Sequence, residues 1–490
     1  MGKAMKDRAA GVLLGQACGD ALGVPYEHGT PPTGEAEMLG GGLGPYGPAE
    51  WSDDTQMAVC IARVSATGAD LRSAAALDKI ASAFEAWLRM GSRDVGVQSR
   101  QVLGAAARLG GRPAERLTKA SRAHYEQTNH SAGNGALMRT AIVGLTSIAD
   151  RVATAEAARA IAELTHADPL AWESCVLWSE TIRVAVNEHQ LDLRSGLDLL
   201  PAESRDRWAG WITEAEAPET APSLRKNGFM VTALQAAWHA IVTTPVPEDD
   251  PNAGTFACQH LQHALHAAVR IGYDTDTVAA IAGGLLGAYW GASAVPASWQ
   301  RIVHGWPDMR ARDLVSLGVL TVRGGHPDSA GWPTAERMEY ATNPDLPVPV
   351  RHPYDPQVWL GGVDALDHLP DGVDTVVSLC RLGATQVPAR GVAATDHVEV
   401  WLIDSSDTNK NPNLDFVLAD AAGAVSELVA EGRTVLLHCV HAQSRTPVVA
   451  ALYGARLKGR KPTEALIDIV KVLPEADHNR RLWQALDRLG

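Results

Sequence analysis

The 490-residue sequence has no run of about 18 consecutive apolar residues, the length that a membrane-spanning helix needs. Basic residues are also few, because 43 Lys and Arg stand against 57 Asp and Glu and give a formal net charge of −14. Surfaces that follow nucleic acid or anionic lipid need clustered Lys and Arg, so this balance argues against both partners. An anionic substrate must therefore be bound by a local site.

Cysteine is scarce as well, with six residues in the chain and no CxxC spacing between them. The N-terminal segment carries Gly, Gln and Asp within its short apolar stretch, which is not the pattern of a secretory signal. Without a disulfide framework or a targeting segment, we expect a protein of the reducing cytoplasm.

The length predicts a multidomain protein, because a single hydrophobic core stops growing near about 250 to 300 residues. From residue 1 to 321, Ala-rich stretches such as 73–90 and 151–166 repeat apolar residues at helical spacing and predict an all-α domain. Residues 322–349 are rich in Pro and Gly without a sustained period, which is typical of a linker.

From residue 350 to 490 the composition changes to short β-branched runs that alternate with helix candidates. Runs at 373–380, 397–403 and 434–439 predict strands, and 413–432 is one of the helices between them. Alternation of this kind predicts an α/β domain with a parallel sheet covered on both faces.

Residues 438–446 read HCVHAQSRT and follow the apolar run 435–437. A strand, a short loop and a helix N-terminus in series direct backbone N–H groups and the positive end of the helix dipole at one spot, which suits a phosphate. The same donors would stabilise the thiolate of Cys439, and Arg445 would offer a planar fork to two phosphoryl oxygens. The alternative is a buried structural cysteine beside a solvent-facing arginine.

This segment resembles the signature of the cysteine-dependent phosphatases, specifically their dual-specificity branch. That signature is His-Cys, five further residues, Arg and a hydroxyl residue. The resemblance implies that Cys439 is the nucleophile, that Arg445 binds the phosphoryl group and that Thr446 assists breakdown of the phosphocysteine. It also implies a general acid on an upstream loop, for which Asp404 is the candidate and Asp407 the fallback.

This chain departs from the family signature at one position. The family usually has glycine three residues after the cysteine, where this chain has Ala442, and alanine tolerates unusual backbone angles less well. His438 would orient the loop. A non-catalytic module that only binds phosphate is therefore the alternative for this half of the chain.

Four segments of the first half carry acidic or glycine-rich motifs: GDALGVPYE (19–27), WSDDTQ (51–56), GNGALMR (133–139) and GYDTDTVAAIAGGLLGAYWG (272–291). Adjacent carboxylates and hydroxyls at a helix start are common caps. Oxygen ligands without nearby His or Cys also suit Mg²⁺, Mn²⁺ or Ca²⁺. If the two acidic clusters met, four carboxylates would need cations to offset their repulsion.

These four segments, in this order, resemble the ADP-ribosylglycohydrolase family, all-helical proteins that carry a pair of magnesium ions and cleave ADP-ribose from modified targets. The resemblance spans residues 5–300 and implies two Mg²⁺ ions, with Mn²⁺ as an alternative. By position, the implied metal ligands are Ser52, Asp53, Asp54, Asp274, Asp276 and Thr277.

The same resemblance implies catalytic and substrate-binding residues. Glu27 matches a glutamate implicated in catalysis, although a surface position is the alternative, and Asp54 or Glu27 would handle the proton. Asn134 and Gly135 match a loop at the distal ribose and phosphates, and His166 matches a histidine near the substrate.

We therefore expect a bifunctional hydrolase. One half would remove ADP-ribose from a protein or from a small ADP-ribose-containing molecule, and the other would hydrolyse a phosphorylated substrate. An inert ADP-ribose-binding module is the alternative for the first half.

Overall fold

The computed structural model describes residues 2–129, 131–340, 348–477 and 479–490. Part of the expected linker, 341–347, lies outside the described residues. The prediction of a helical first half is confirmed, and the expected helices at 73–90 and 151–166 correspond to α3 and α6. The helices are α1 Lys3–Gly23, α2 Asp53–Ser65, α3 Ala74–Met90, α4 Val97–Ala106, α5 Pro113–Thr128, α6 Arg151–Glu163, α7 Pro169–Glu188, α8 Ala202–Glu216, α9 Met230–Thr243, α10 His260–Ile271, α11 Thr275–Trp290, α12 Ala297–Ile302 and α13 Ala311–Val322.

A short antiparallel pair, β1 His304–Gly305 and β2 Met309–Arg310, precedes α13 and is the exception to the helical pattern in the described part of this half. Across the ranges that the structure describes, no helix combines the length and apolarity needed to cross a bilayer. The division of the chain at 321 and 350 remains a prediction from the sequence.

Helices α1 and α11 run antiparallel with their main chains in direct contact. The glycines of α1 recur every four residues, so they lie on one face of the helix. A Cβ atom at any of them would overlap the main chain of α11. This contact brings the last turn of α1 against the first turn of α11. The facing pairs are Gly11 with Gly287, Gly15 with Gly283, Gly19 with Ala279 and Gly23 with Asp276.

The second half is built on a small five-stranded sheet with the strand order β3-β4-β7-β5-β6. Its helices pack around the sheet, with α15 contacting β4 and β7 and α14 contacting β5 and β7. The elements are β3 Val350–His352, β4 Asp355–Gly361, β5 Thr375–Ser378, β6 His397–Glu399, α14 Leu414–Ala430, β7 Val435–His438, α15 Arg445–Lys458, α16 Pro462–Val472 and α17 Arg480–Arg488.

The sheet is mixed, so the prediction of a parallel sheet is wrong at one edge. β4, β7, β5 and β6 are parallel, whereas β3 pairs with β4 in the antiparallel sense. Only residues 353–354 separate β3 from β4, and a connection this short joins antiparallel strands alone. The expected strand at 397–403 is also shorter, because pairing ends at Glu399.

The two halves share one continuous hydrophobic core. The rings of Phe256 and Phe416 meet edge to face with centroids 5.7 Å apart. Asp420 Oδ2 accepts a hydrogen bond from the backbone N–H of Ala297 at 2.9 Å, and burial raises the pKa of Asp420 to about 7. Arg301 donates to Glu431 Oε1 at 2.7 Å. The halves are therefore packed together by apolar and charged contacts.

A buried hydrogen-bond chain crosses the strands β6, β5 and β7 below the Cys439 loop. The Ala389 N–H donates to His397 Nδ1, so His397 Nε2 carries the hydrogen and donates to Ser378 Oγ at 2.8 Å. The Ser378 hydroxyl can then donate to His438 Nε2 at 2.6 Å, which leaves His438 Nδ1 to donate to the Cys439 carbonyl. Burial lowers the pKa of His397 to about 3 and that of His438 to about 4. Both rings are neutral at pH 7.

The substitution Gly15→Ala tests the contact between α1 and α11. Alanine favours an isolated helix over glycine by about 1 kcal/mol. Here its methyl group would overlap the main chain near Gly283, so we expect the free energy of unfolding to fall by about 1 to 3 kcal/mol. Urea denaturation of the full chain measures the change.

The matched control is Gly210→Ala in α8, where an added Cβ atom meets no atom within 4 Å. This substitution should raise the free energy of unfolding by up to about 1 kcal/mol. A neutral or stabilising Gly15→Ala would contradict the main-chain contact.

The substitution His438→Gln tests the buried histidine chain. The unfolded chain takes up a proton near pH 6.5, whereas folded His438 stays neutral down to about pH 4. The free energy of unfolding should therefore fall as the pH drops from 6.5 towards 4, by up to about 1.4 kcal/mol per pH unit for this ring. Glutamine keeps a hydrogen-bonding group without titrating, so the variant should show a shallower slope in urea denaturation at pH 7, 6 and 5.

The exposed His263 provides the control for loss of a histidine, because His263→Gln should change the free energy of unfolding at pH 7 by no more than about 0.5 kcal/mol. Equal slopes for His438→Gln and the unaltered chain would show that His438 does not titrate as described.

Candidate functional site

Carboxylates from both ends of the helical half converge where the last turn of α1 meets the first turns of α2 and α11. Oxygen atoms of Asp20, Asp54 and Asp276 lie within 4.8 Å of one another. Those of Glu27, Asp274 and Asp276 form a second such group. Asp276 belongs to both groups, so the five side chains make one continuous carboxylate cluster.

Asp20 organises this cluster, although the sequence did not identify it. Its Oδ1 accepts the backbone N–H of Ser52 at 2.8 Å, and its Oδ2 accepts that of Thr55 at 2.9 Å. Asp20 thus caps the N-terminus of α2 from the end of α1. The capped amides are more than 30 residues away in sequence, so no local pattern marks this role.

The hydroxyl of Ser52 lies between two carboxylates. Its Oγ is 2.8 Å from Asp20 Oδ1 and 2.9 Å from Asp54 Oδ2, and its single hydrogen can serve only one of them at a time. Asp54 Oδ1 is buried and has no hydrogen-bond partner within the described residues. A buried carboxylate oxygen without a partner is costly, so this atom calls for a cation or a proton.

Burial and mutual repulsion together disfavour the charged forms of these groups. Burial is the largest cause and neighbouring carboxylates add to it, so the pKa values of Asp53, Asp54 and Asp276 all rise well above 3.8. Burial raises the pKa of Asp20 to about 6. Burial and the charge of Asp274 raise the pKa of Glu27 to about 8.

Asp94 contributes to this field and was also missed by the sequence analysis. It stands just before α4, and its charge helps to raise the pKa values of Glu27 and Asp53. The site therefore gathers negative charge from four separate parts of the chain.

The donor set fits hard divalent cations, because the clustered groups are all oxygen ligands. The unpartnered Asp54 Oδ1 and the raised pKa values indicate that the cluster lacks positive charge. The structure brings together the turns that carry every predicted ligand, and their role as ligands stays a prediction. Those residues are Ser52, Asp53, Asp54, Asp274, Asp276 and Thr277.

Asn134 is held against the carboxylate cluster. Its Nδ2 donates to Asp274 Oδ2 at 2.7 Å and to the Asn227 carbonyl at 3.0 Å. Fully buried Asn227 accepts the Asp274 N–H at 3.0 Å and donates to the Gly272 carbonyl at 3.0 Å. Asn227 is thus a positioning residue that the sequence analysis missed, because nothing in its local sequence marks its distant partners.

His166 lies beside the loop that contains Gly135. A Cβ atom at Gly135 would be 3.4 Å from His166 Cε1, so the glycine keeps this space open. Arg139 donates to Thr165 Oγ1, whose own hydrogen can then go to His166 Nδ1 at 2.7 Å. The remaining hydrogen is on Nε2, which faces the 133–135 loop. Burial lowers the pKa of His166 well below 6.5, so this ring is a neutral donor.

The Cys439 loop joins β7 to α15, as the sequence predicted. Cys439 is buried, and α15 begins at Arg445. Arg445 Nη1 donates to the Leu379 carbonyl at 2.6 Å and to the Leu402 carbonyl at 3.3 Å. These contacts fix the guanidinium beside the loop, against the segments that follow β5 and β6.

Asp404 lies next to this arginine. Its Oδ2 is 3.7 Å from Arg445 Nε, and its Oδ1 accepts from Asn479 Nδ2 at 2.6 Å. Asp407 is engaged elsewhere, because its carboxylate accepts the Asn409 N–H at 3.0 Å. Of the two candidate acids, the structure therefore places Asp404 at the Cys439 loop.

Ala442 adopts a left-handed backbone conformation, with φ at 54°. For a residue with a Cβ atom, this conformation costs roughly 1 to 2 kcal/mol, and glycine would avoid the cost. The loop thus keeps a shape that glycine favours despite the alanine. Thr446 Oγ1 is buried next to this loop and has no partner among the described residues.

A cavity of about 700 Å³ lies between the two halves and reaches this second site. Its walls include Arg445 and Asp404 on one side and Lys6 of α1 on the other. Lys6 and Asp20 are 14 residues apart on α1, which is about 21 Å along the helix axis. The carboxylate cluster and the cavity therefore lie towards opposite ends of α1.

Known proteins resemble the helical half of this chain. The ADP-ribosylarginine hydrolase Tri1 of Serratia proteamaculans is 26% identical over 306 residues, which are 60% of this chain and 74% of that protein. A solved structure described as an ADP-ribosylglycohydrolase-related protein complex has 28% identity and a TM-score of 0.50, and covers 66% of this chain and 100% of its own.

A structure of human DUSP28 has 22% identity and a TM-score of 0.26 over 30% of this chain and 96% of its own. The phosphatase assignment of the second half is therefore not shown by these comparisons. The family model described as ADP-ribosylglycohydrolase matches residues 1–325, about two thirds of the sequence. Over those residues, the chain belongs to the ADP-ribosylglycohydrolase family.

Proposed function

We propose that the helical half hydrolyses the bond between ADP-ribose and a modified target, with two divalent cations bound at the carboxylate cluster. Family membership supports the reaction class. The observation that carries the proposal is the convergence of five carboxylates, with Asp54 Oδ1 left unpartnered. The Serratia relative is named as an ADP-ribosylarginine hydrolase, so a protein ADP-ribosylated on arginine is the first substrate to test.

The residues of the cluster would bind the cations and transfer the proton. When bound, Mg²⁺ ions would offset the negative charge and orient the distal ribose hydroxyls and a water molecule. Glu27, whose carboxylate lies within 4.8 Å of those of Asp274 and Asp276, or Asp54 would hold or release the proton in the reaction. The ions would be held by Ser52, Asp53, Asp54, Asp274, Asp276 and Thr277.

The neighbouring loop would bind the substrate. Gly135 leaves room for close approach of a ribose or phosphate group, and neutral His166 offers its Nε2–H towards the same loop. Asn134, fixed by Asp274 and Asn227, would keep the loop in register with the cluster. We propose these three residues, Asn134, Gly135 and His166, as substrate-binding residues.

The substitution Asp276→Asn tests the metal proposal in the full chain. Without added metal, removing one of the crowded carboxylates should raise the melting temperature, because the buried repulsion decreases. With Mg²⁺ at about 100 times its dissociation constant, the unaltered chain should gain about 2.7 kcal/mol of stability and release ADP-ribose, and the variant should do neither. Differential scanning calorimetry and an ADP-ribose release assay measure the two effects.

The exposed Asp206 supplies the matched control, and Asp206→Asn should leave both measurements unchanged. Release of ADP-ribose that persists in a chelator would contradict the role of the cations. An unaltered chain that binds Mg²⁺ but releases no ADP-ribose would instead contradict the hydrolase proposal.

We propose that the second half hydrolyses a phosphate monoester through Cys439. The Cys439 Sγ would attack phosphorus while the bond to the leaving oxygen breaks, and Asp404 would give that oxygen a proton. Arg445 would bind two equatorial oxygens, and water would then cleave the S–P bond with help from Thr446 Oγ1. The observation in favour is that Arg445 and Asp404 lie together beside the loop that joins Cys439 to α15.

A phosphate-binding module without turnover is the second candidate. The contacts of Asp404 favour it, because both carboxylate oxygens already face partners, Arg445 and Asn479. A phosphate on Arg445 would have to displace the first of these partners before Asp404 could act as an acid.

Hydrolysis of p-nitrophenyl phosphate by the full chain separates these candidates. We expect measurable turnover, and a loss of about a thousandfold or more in kcat for Cys439→Ser, because the nucleophile is removed. With phenyl phosphate, whose leaving group is more basic, Asp404→Asn should lower kcat by about a hundredfold.

Asp407→Asn is the matched control and should retain full kcat, because Asp407 caps a neighbouring turn. Absence of turnover by the unaltered chain, together with binding of inorganic phosphate, would favour the binding module over the phosphatase.

A further inference from the structure

The cavity at the Cys439 loop is closed on one side by the helical half. Its volume of about 700 Å³ falls within the range of about 300 to 1,000 Å³ that is usual for small-molecule sites. Val440 and Arg445 line it from the loop, and Arg310 and Arg312 line it from the start of α13. A molecule that reaches Arg445 through this cavity must therefore fit between the two halves.

Most of the basic residues around the cavity already have partners. Arg312 donates to Glu399 Oε1 at 2.5 Å and to the Leu382 carbonyl at 2.8 Å. Arg381 is paired with Asp328, and Arg301 is paired with Glu431. Within each pair, the two opposite charges neutralise each other, so these arginines leave little positive charge for an anionic ligand.

Arg310 differs from these residues. Its Nη1 is buried and has no hydrogen-bond partner within the described part of the chain. The nearest acid on its own helix, Asp313, accepts the backbone N–H of Arg310 at 2.9 Å and caps α13. Arg310 lines the cavity, and its guanidinium forms no ion pair among the described residues, so it is suited to an anion that enters the cavity.

The wall between Arg310 and the loop is aromatic. Trp332 and Trp401 meet edge to face with ring centroids 5.8 Å apart, and Tyr340 lines the same space. Trp401 Nε1 is buried and lacks a partner among the described residues. Aromatic faces of this kind suit a flat heteroaromatic ring.

We infer that this cavity takes a small phosphate monoester of the nucleotide class that carries a second anionic group. The reacting phosphate would lie at Cys439 and Arg445, and the second anion would lie on Arg310. The inference rests on the proposed phosphatase function and narrows its substrate to a small molecule, since the cavity that reaches Arg445 is bounded on one side by the helical half.

The test compares adenosine 3′,5′-bisphosphate with adenosine 5′-monophosphate as substrates of the full chain, by release of inorganic phosphate. The two molecules share the base and ribose, so the comparison isolates the second anion. We expect kcat/KM to be at least about tenfold higher for the bisphosphate, as a charged hydrogen bond to Arg310 would give. Arg310→Gln should remove this advantage without changing hydrolysis of the monophosphate, and Arg310→Lys should restore part of it.

Arg108, an exposed residue after α4, supplies the control, since Arg108→Gln should keep the full advantage. Equal kcat/KM for the two nucleotides would overturn the inference, and so would an Arg310→Gln variant that retains the preference. Faster turnover of a phosphotyrosine peptide than of the bisphosphate would overturn it as well.

Failure of the underlying phosphatase proposal has a separate signature. If p-nitrophenyl phosphate is not hydrolysed, calorimetric titration of the full chain with both nucleotides still decides the cavity's preference. Tighter binding of the bisphosphate, lost in Arg310→Gln, would support the anion site, and equal binding would overturn it.

Discussion

The close contact between the main chains of α1 and α11 is the constraint on which the first site depends. Glycines on both helices let the backbones approach, and their register leaves no freedom to slide. Gly23 lies against the Cα atom of Asp276, and the Thr275 hydroxyl donates to the Gly23 carbonyl at 2.7 Å. The last turn of α1 therefore carries Asp20 directly to the first turn of α11. Without this contact, the acidic segments would be unrelated surface features.

The two sites handle charge in opposite ways. The first concentrates buried carboxylates until their own pKa values rise, which prepares a place for cations. The second presents a guanidinium, Arg445, which is held by backbone carbonyls beside the Cys439 loop. In a chain whose net charge is −14, an anionic substrate can be bound only at such local concentrations of positive potential.

The sequence predicted best what is local. Helix α3 and the strand, loop and helix around Cys439 are coded by contiguous residues, so periodicity and spacing were enough to find them. The convergence of the acidic segments is a long-range fact that spacing does not encode, and only the family resemblance suggested it. Asp20 and Asn227 were missed because their hydrogen-bond partners lie in distant parts of the sequence. Arg310 was missed because only the folded structure shows that its side chain lacks a partner among the described residues. The antiparallel strand β3 was missed because its hairpin is short and weakly patterned.

The packing between the halves bears on how the chain behaves as a whole. Phe416, Asp420 and Glu431 of the sheet half contact Phe256, Ala297 and Arg301 of the helical half, and a single apolar core passes through both. Two halves joined in this way stabilise each other thermodynamically, as subunits of a tight dimer do. A proteolytic nick between 322 and 350 would therefore leave the two fragments associated through this shared core.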